Sequence, residues 1–396
     1  MTMLTVTEAW DIVSNHLFSP ETEYVPLPRA QGRVLAQEVR ADRDIPPYNR
    51  VSMDGIAIRY ADYQTGTRKF PVSGIIGAGE VSPANISPGT CVEIMTGAAL
   101  PPFADTVIPY EQLLLEGGVA ILNGEVKHGQ NIHLQGKDRS RGEILMQAGR
   151  RIGPVETSIA ASAGCHRILV VKPPRVAIFS SGNELVDIDE TPQPNQIRRS
   201  NSYVCHAILQ PYGIEAGLFH LPDNPEQIRA ALGEALESYD VIIASGGISA
   251  GKFDYIPDVL SKLGVQKLIK GVRQRPGKPF WFGKKDAVTV FALPGNPVST
   301  MACMLRYVKP WLELSLGLPA PVYHVVLAEE IVFEPGLTLF SQASLQIADN
   351  GLLTATPLRH QGSGDYSSLL SARGFLELPA EKTRFEAGTT FPFWPL

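Results

Sequence analysis

Between Arg175 and Leu316 the chain alternates short apolar, β-branched runs with helical patterns. Three of the runs break into glycine turns of similar build. RVAIFSSGNE (175–184), VIIASGGIS (241–249) and TVFALPGNP (289–297) each read as a buried strand opening into a tight turn. Strand–helix alternation of this kind predicts a mostly parallel, twisted sheet covered by helices on both faces. In such sheets ligands bind beyond the carboxyl ends of the strands. One glycine turn is equally well an ordinary βα connection; three at the same edge predict a crevice where backbone N–H groups approach an anion.

The turns name the candidate contacts: Ser181 and Gly182; Ser245, Gly246, Gly247, Ser249 and Gly251; Pro294, Gly295, Asn296 and Pro297. Asn296 reads as a helix N-cap and Pro297 as the first helical residue, which would aim unpaired N–H groups at the crevice. Pro276, Gly277 and Lys278 add a turn with a cation, and Glu184, Asp223 and Asp254 are carboxylates at or just after strand ends. Glycine turns with a lysine suit phosphates, and acids beside them suit Mg2+, so a nucleotide-like phosphorylated ligand is expected. Neither GxxxxGK[ST] nor GxGxxG occurs, which disfavours P-loop and Rossmann dinucleotide mechanisms.

The rest of the chain has a different texture. A helix over Thr5–Phe18 is predicted from the Thr5/Glu8 capping box, with Trp10, Val13 and Leu17 on one face. A short helix near Pro28–Leu35 follows. From Val51 to about Ile152 short β-like runs separated by Gly and Pro read as an all-β unit. Asp54 in SMDG and Thr96 in MTGA flank strands there, and Asp138 sits in the charged loop GKDRSR; each alone reads equally as a turn residue. Gly153–Gly164 is a small-residue helix with Pro154 in its first turn. Beyond Pro321 the pattern is β again, with an Asn350-Gly351 hairpin signal and Ser363 on a glycine-rich loop.

The expected architecture is therefore multidomain, α/β plus all-β. It comprises a segmented helical domain (1–45 and 146–174), an inserted β-rich domain (46–145), an α/β domain (175–318) and a C-terminal β domain (319–396). At 396 residues one core would not suffice. A net charge of −5 argues against a nucleic-acid binder. No apolar run of about 18 residues predicts a membrane span. The start has no signal-peptide pattern. Four dispersed cysteines read as free thiols of a reducing cytoplasm, and the scattered histidines do not suggest zinc.

Taken in order, SMDG, MTGA, SGGISAGKFD, RPGKP and LPGNPVS resemble the MoeA-type molybdopterin molybdenumtransferases, the family that includes the E domain of gephyrin. The resemblance runs essentially the whole length. It implies a central domain like those of the MogA/MoaB adenylyltransferases, a C-terminal β-barrel, and a homodimer whose active site joins the central domain of one subunit to the β-rich domain of the other. The implied reaction inserts molybdate into adenylylated molybdopterin with Mg2+ and releases AMP. It carries over Asp54, Thr96, Asp138, Glu184, Asp223, Asp254, Lys278, Pro294, Pro297 and Ser363 as functional residues.

In that frame Asp254 and Glu184 would hold Mg2+, and Lys278 with the glycine turns would neutralise phosphoryl charge. Asp54 would act across the interface on the metal or an attacking water, and Thr96 and Ser363 would contact the oxyanion. A MogA/MoaB-type adenylyltransferase is the implied partner. Asn49, Lys137 and Asn183 depart from the family pattern, where acids are usual, and Gln342 stands where Arg is common. A tungstate-using paralogue and a non-catalytic scaffold are the alternative readings.

Overall fold

The computed structural model describes residues 3–81, 85–248, 254–334, 336–359 and 362–396. Ser249 and Gly251 lie outside the described residues. The chain divides into two compact units, one of residues 1–36, 148–154 and 167–396 and one of residues 37–147 and 155–166.

In the larger unit the expected sheet has six strands. They are β1 (Val176–Ser181), β2 (Gly217–Leu221), β3 (Val241–Ser245), β4 (Gln266–Lys270), β5 (Trp281–Lys285) and β6 (Val288–Leu293). Their order is β2-β1-β3-β6-β5-β4. The β1–β2, β1–β3 and β3–β6 pairs are parallel, whereas β5 and β4 add on antiparallel. Alternate residues serve two cores, which explains the unbroken apolar runs. Val176, Ile178, Val241, Ile243, Phe291 and Leu293 face one core; Ala177, Phe179, Ile242, Ala244, Val290 and Ala292 face the other. Helix α1 (Asn201–Leu209) and the pair α2 (Pro225–Ser238) and α3 (Ile256–Lys262) follow their strands as the sequence predicts. Asn224 caps α2 by accepting from the Glu226 and Gln227 N–H groups. Helix α4 (Pro297–Cys303) runs through a π-helical turn at Met304–Val308 into α5 (Lys309–Ser315).

The C-terminal strands β7 (Tyr323–Leu327), β8 (Thr338–Ile347), β9 (Leu353–Pro357), β10 (Gly374–Leu378) and β11 (Thr390–Pro395) close on themselves. The circuit β8-β9-β7-β11-β10-β8 forms a five-strand barrel filled by Val325, Leu327, Ala343, Leu376, Phe391 and Phe393. The Asn350-Gly351 turn joins β8 to β9, with Gly351 at φ 80°. A short strand, Gln274–Arg275, pairs in parallel with the start of β8.

The N-terminal helix has the predicted capping box at Thr5 and Glu8, but it spans only Val6–Ser14. Its buried face is Val6, Ala9 and Val13, and Leu17 lies exposed beyond its end. The helix expected near Pro28–Leu35 is a single 3-10 turn at Leu27–Arg29. Ala30 caps it, and Gly32 just beyond sits in the left-handed region at φ 79° against the Pro211 carbonyl, where a side chain would clash.

Arg306, on the π-helical turn, binds these parts together. Its guanidinium donates to Glu377 of β10 at 2.9 Å and lies over the rings of Trp10, Tyr307 and Trp394, while Trp394 Nε1 donates to the same carboxylate at 2.7 Å. Arg306 is 6% exposed, and its Nη1 is buried without a partner. A buried charge stripped of its counterion costs about 3–5 kcal/mol. Glu377→Ala is therefore expected to lower the free energy of unfolding by about that amount in chemical denaturation.

In the smaller unit six strands form a mixed sheet, in the order Thr106–Pro109, Gly55–Ile58, Cys91–Ile94, Lys69–Ile76, Val119–Leu122 and Leu113–Glu116. Ile56, Ile58, Phe70 and Ile108 pack on one face, and Ala57, Val92, Ile94 and Val107 on the other. The Pro154–Ser162 helix appears as expected. The four cysteines are free; Cys91, Cys205 and Cys303 are buried and Cys165 half-buried.

Candidate functional site

From β1 the chain runs to β2 at one edge, whereas from β3 it runs to β4 at the opposite edge, so the sheet's switch point lies between the ends of β1 and β3. Ser181 and Gly182 form one lip. Gly182 sits at φ 149°, its N–H donates to the Leu221 carbonyl at 3.1 Å, and its carbonyl meets His220 Nε2 at 2.8 Å. The Glu184 carboxylate folds against it where a Cβ would stand. Asn183 and Asp223 lock this turn to the end of β2. The Asn183 N–H donates to Asp223 Oδ2 at 3.2 Å and the Asp223 N–H to Asn183 Oδ1 at 2.9 Å.

The second lip is Ser245-Gly246-Gly247. Two successive left-handed residues, Gly246 at φ 90° and Gly247 at φ 64°, bring the backbone within reach of β1. A Cβ on Gly246 would lie 2.5 Å from the Ser181 carbonyl, so only glycine fits. The Ser245 hydroxyl is used internally, accepting from Asn201 Nδ2 at 2.8 Å and donating to the Pro294 carbonyl at 3.1 Å. The Ser181 hydroxyl is buried without a partner.

The third turn, Pro294-Gly295-Asn296-Pro297, lies beside the second, with the Gly246 N–H on the Leu293 carbonyl at 3.1 Å. Asn296 holds the N-cap position of α4, but its side chain makes no cap bond. Nδ2 donates instead to Ser363 Oγ at 2.7 Å, and the Ser363 carbonyl takes the Val298 N–H at 3.2 Å. The expectation of open N–H groups at this helix start is corrected accordingly. The barrel's Ser363 occupies one of them, because a bond to a neighbouring loop outcompetes the local cap.

The Pro276-Gly277-Lys278 turn is set by Gln274, which is fully buried. Gln274 Oε1 accepts from the Tyr307 hydroxyl at 2.5 Å and its Nε2 donates to the Pro276 carbonyl at 3.1 Å. Gly277, at φ 92°, packs against that amide and Cys303. Lys278 is exposed, Asp254 half-buried and Glu184 exposed.

No group of three or more His, Cys, Asp or Glu side chains placed to hold a metal exists among the described residues. Mg2+ needs only one or two acids and completes its shell with water and phosphate oxygens, and Glu184 is an exposed acid beside the first turn. Behind Glu184, Asp187 accepts from Arg199 Nη2 at 2.6 Å and from the Tyr203 hydroxyl at 3.1 Å. Arg199, with the Ile188 N–H, holds the Asp187 carboxyl down to about 2.

In the smaller unit, Asp54 Oδ1 accepts from the Thr96 N–H at 2.6 Å and the Thr96 hydroxyl at 2.7 Å, and these two bonds hold the exposed carboxyl below its usual range. Gly55 is required because a Cβ would overlap the Ile108 carbonyl across the sheet. The Tyr110 hydroxyl donates to Glu93 at 2.8 Å; burial, then Glu93, push the phenol up. Asp138 Oδ1 meets His133 Nε2 at 2.8 Å.

Three of the four departures noted in the sequence have side chains bonded within the fold. Asn49 accepts the Gln135 N–H at 2.9 Å, Asn183 pairs with Asp223, and Gln342, buried in β8, accepts from Ser368 at 2.8 Å. Sequence reasoning missed Asn201 and Gln274, whose importance is visible only once their carboxamides are seen tying turns together. The polar run RRSNS ahead of a helix is the sole hint of the first.

The fold and its ordered turns define a class, and sequence comparison identifies it. Residues 177–314 match a probable molybdopterin binding domain, residues 4–164 the MoeA N-terminal region (domain I and II), and residues 324–396 the MoeA C-terminal region (domain IV). The chain is 37% identical over 397 residues to a molybdopterin molybdenumtransferase of Synechocystis, covering 99% of this chain and all of that one. It is 32% identical to that of Bacillus subtilis over 98% and 93% of the two chains. The crystal structure of the molybdopterin biosynthesis MoeA protein from Pyrococcus horikoshii superposes with a TM-score of 0.82 at 27% identity, covering 100% of this chain and 99% of that one. The chain belongs to the MoeA family.

Two outcomes follow from the local geometry. Thr96→Val removes one of the two bonds on Asp54, and the carboxyl's NMR titration midpoint is expected to move up toward the ordinary 3.8. Asp187 is depressed by folding, so its ion pair with Arg199 stabilises the loop above the ordinary 3.8 and lets go as the pH falls through about 2. Amide-exchange protection over residues 185–199 is expected to fall across that window, and Arg199→Ala should remove the pH dependence.

Proposed function

We propose that the chain is a molybdopterin molybdenumtransferase. In this reading it is a cytoplasmic homodimer that inserts molybdate into adenylylated molybdopterin and releases AMP, in the last step of molybdenum cofactor assembly. The observation that carries the reading is the convergence of the three glycine turns at the ends of β1, β3 and β6, the first packed against Gly246 and the other two tied to each other and to Ser363. Such an edge suits the phosphates of an adenylylated ligand.

Roles follow from the donors left over. Asn296 donates to Ser363, so the Ser363 hydroxyl proton remains free to serve an oxyanion. Lys278, exposed on its turn, supplies positive charge to the phosphoryl oxygens. The Thr96 hydroxyl is committed to Asp54, which makes Thr96 a holder of that carboxylate rather than an oxyanion contact. Both Thr96 bonds fall on Asp54 Oδ1, leaving Oδ2 to orient a water and take its proton as the phosphoanhydride breaks and AMP leaves. Asp138, paired with His133, belongs to the same face of the chemistry in this reading. One or two of Glu184, Asp223 and Asp254, with water and phosphate oxygens, would hold Mg2+, which when bound withdraws charge from the phosphates. The second copy of the chain would contribute the Asp54–Thr96 pair, and a MogA/MoaB-type adenylyltransferase would supply the substrate.

The protein incubated with adenylylated molybdopterin, Mg2+ and molybdate is expected to release AMP and form the cofactor; no AMP above background would sink the proposal. Asp54→Asn is expected to cut turnover by about 100-fold or more with the dimer intact on a sizing column.

A further inference from the structure

We propose that Asn201, the first residue of α1, is the positioning residue that fixes the second and third glycine turns relative to each other. The inference rests on the functional reading above. Both hydrogens of its Nδ2 are used: one bond runs 2.8 Å to Ser245 Oγ and the other 2.7 Å to the Gly295 carbonyl. The Ser245 hydroxyl passes the link on to the Pro294 carbonyl at 3.1 Å, which the Thr300 hydroxyl also reaches at 2.6 Å. One carboxamide on a helix thus joins two turns that belong to different strands.

Its orientation is dictated by chemistry. Gly295 can offer only an acceptor at that carbonyl, so the nitrogen must face it. The consequence is a buried Oδ1 that has no partner. A buried acceptor left unpaired is unfavourable, and the side chain holds this pose because both turns demand a donor. The turns themselves are in close contact, for a Cβ on Gly295 would lie 3.5 Å from the Gly246 Cα. Whatever sets the approach of Gly246 to Gly295 therefore sets how the backbone N–H groups of the two turns are presented together to phosphate oxygens. The same helix follows the loop held by Asp187 and Arg199, so the clamp also fixes the segment that begins at Glu184.

The test compares the full-length wild type with Asn201→Ala and with Asn201→Asp, which keeps the shape but replaces the donor by an acceptor. AMP release gives kcat and KM for adenylylated molybdopterin, calorimetry gives the affinity for AMP as a probe, and hydrogen exchange reports on residues 244–248 and 293–298. Both variants are expected to raise KM and weaken AMP binding by about tenfold or more, with kcat changed less than about threefold and faster exchange in both turns. A purely structural residue would lower the active fraction, and so kcat, at unchanged KM. A KM and an AMP affinity within about twofold of wild type overturn the proposal.

If neither Asn201 variant folds, Ser245→Ala breaks the relay from within the buried strand end and decides by the same readouts. Wild type that binds AMP more tightly than the variants but releases none from substrate would sink the transferase reading and leave the positioning role standing. Wild type that does neither removes both.

Discussion

The larger unit depends on one buried charge. Arg306 is almost wholly buried, so its carboxylate partner and three aromatic faces must be in place before the guanidinium can be accommodated. Those groups come from the N-terminal helix, the π-helical turn and two barrel strands. The π-helical turn is the local irregularity that lets Arg306 and Tyr307 serve different masters. Arg306 reaches the barrel, and the Tyr307 hydroxyl reaches Gln274 and through it the Pro276 turn. A helix register that satisfied only one of these would leave the other polar group buried and unmatched.

Around the crevice a second principle governs, which is close backbone approach. Gly246, Gly277 and Gly182 occur where a Cβ would meet a carbonyl, an amide or a carboxylate, and all three sit at positive φ. Side chains are correspondingly drawn into structural work. Ser245, Asn183 and Asn296 bond to neighbouring turns, so the face offered to a ligand is built largely from main chain with the Lys278, Ser363 and carboxylate side chains around it. The smaller unit repeats the logic at Asp54, where the Gly55 main chain makes room and Thr96 fixes the acid.

Much of this was legible in the sequence, because the signals are local. Alternation and glycine turns point to the parallel sheet and to the three strands that end in those turns, and the Thr5/Glu8 box and the Asn350-Gly351 turn are present as read. Local signals failed where a distant segment decided the outcome. Asn296 has the composition of a cap yet bonds to Ser363, 67 residues away. The apolar pattern around Leu17 continues past the helix end, but the chain turns there so that the Phe18 N–H can meet Ser315. The antiparallel placement of β4 and β5 is not announced in the sequence, since pairing direction leaves no trace in composition. Asn201 and Gln274 were invisible for the same reason, as each acts on groups far along the chain.

The pairing of Gln274–Arg275 with the start of β8, together with the Ser363 contacts to α4, has a consequence for how this architecture can vary. The C-terminal barrel is not a detachable appendage. Ending the chain after α5 would strip the strand partner from the segment leading into Lys278 and reopen the first turn of α4. The cut would also take away Glu377 and Trp394, leaving the Arg306 guanidinium without its counterion, and would open the shared core at Phe340 and Phe375. Insertions are tolerable at the Asn350-Gly351 hairpin, which touches none of these seams, whereas a change in length between Arg359 and Ser368 would shift the barrel's grip on the crevice.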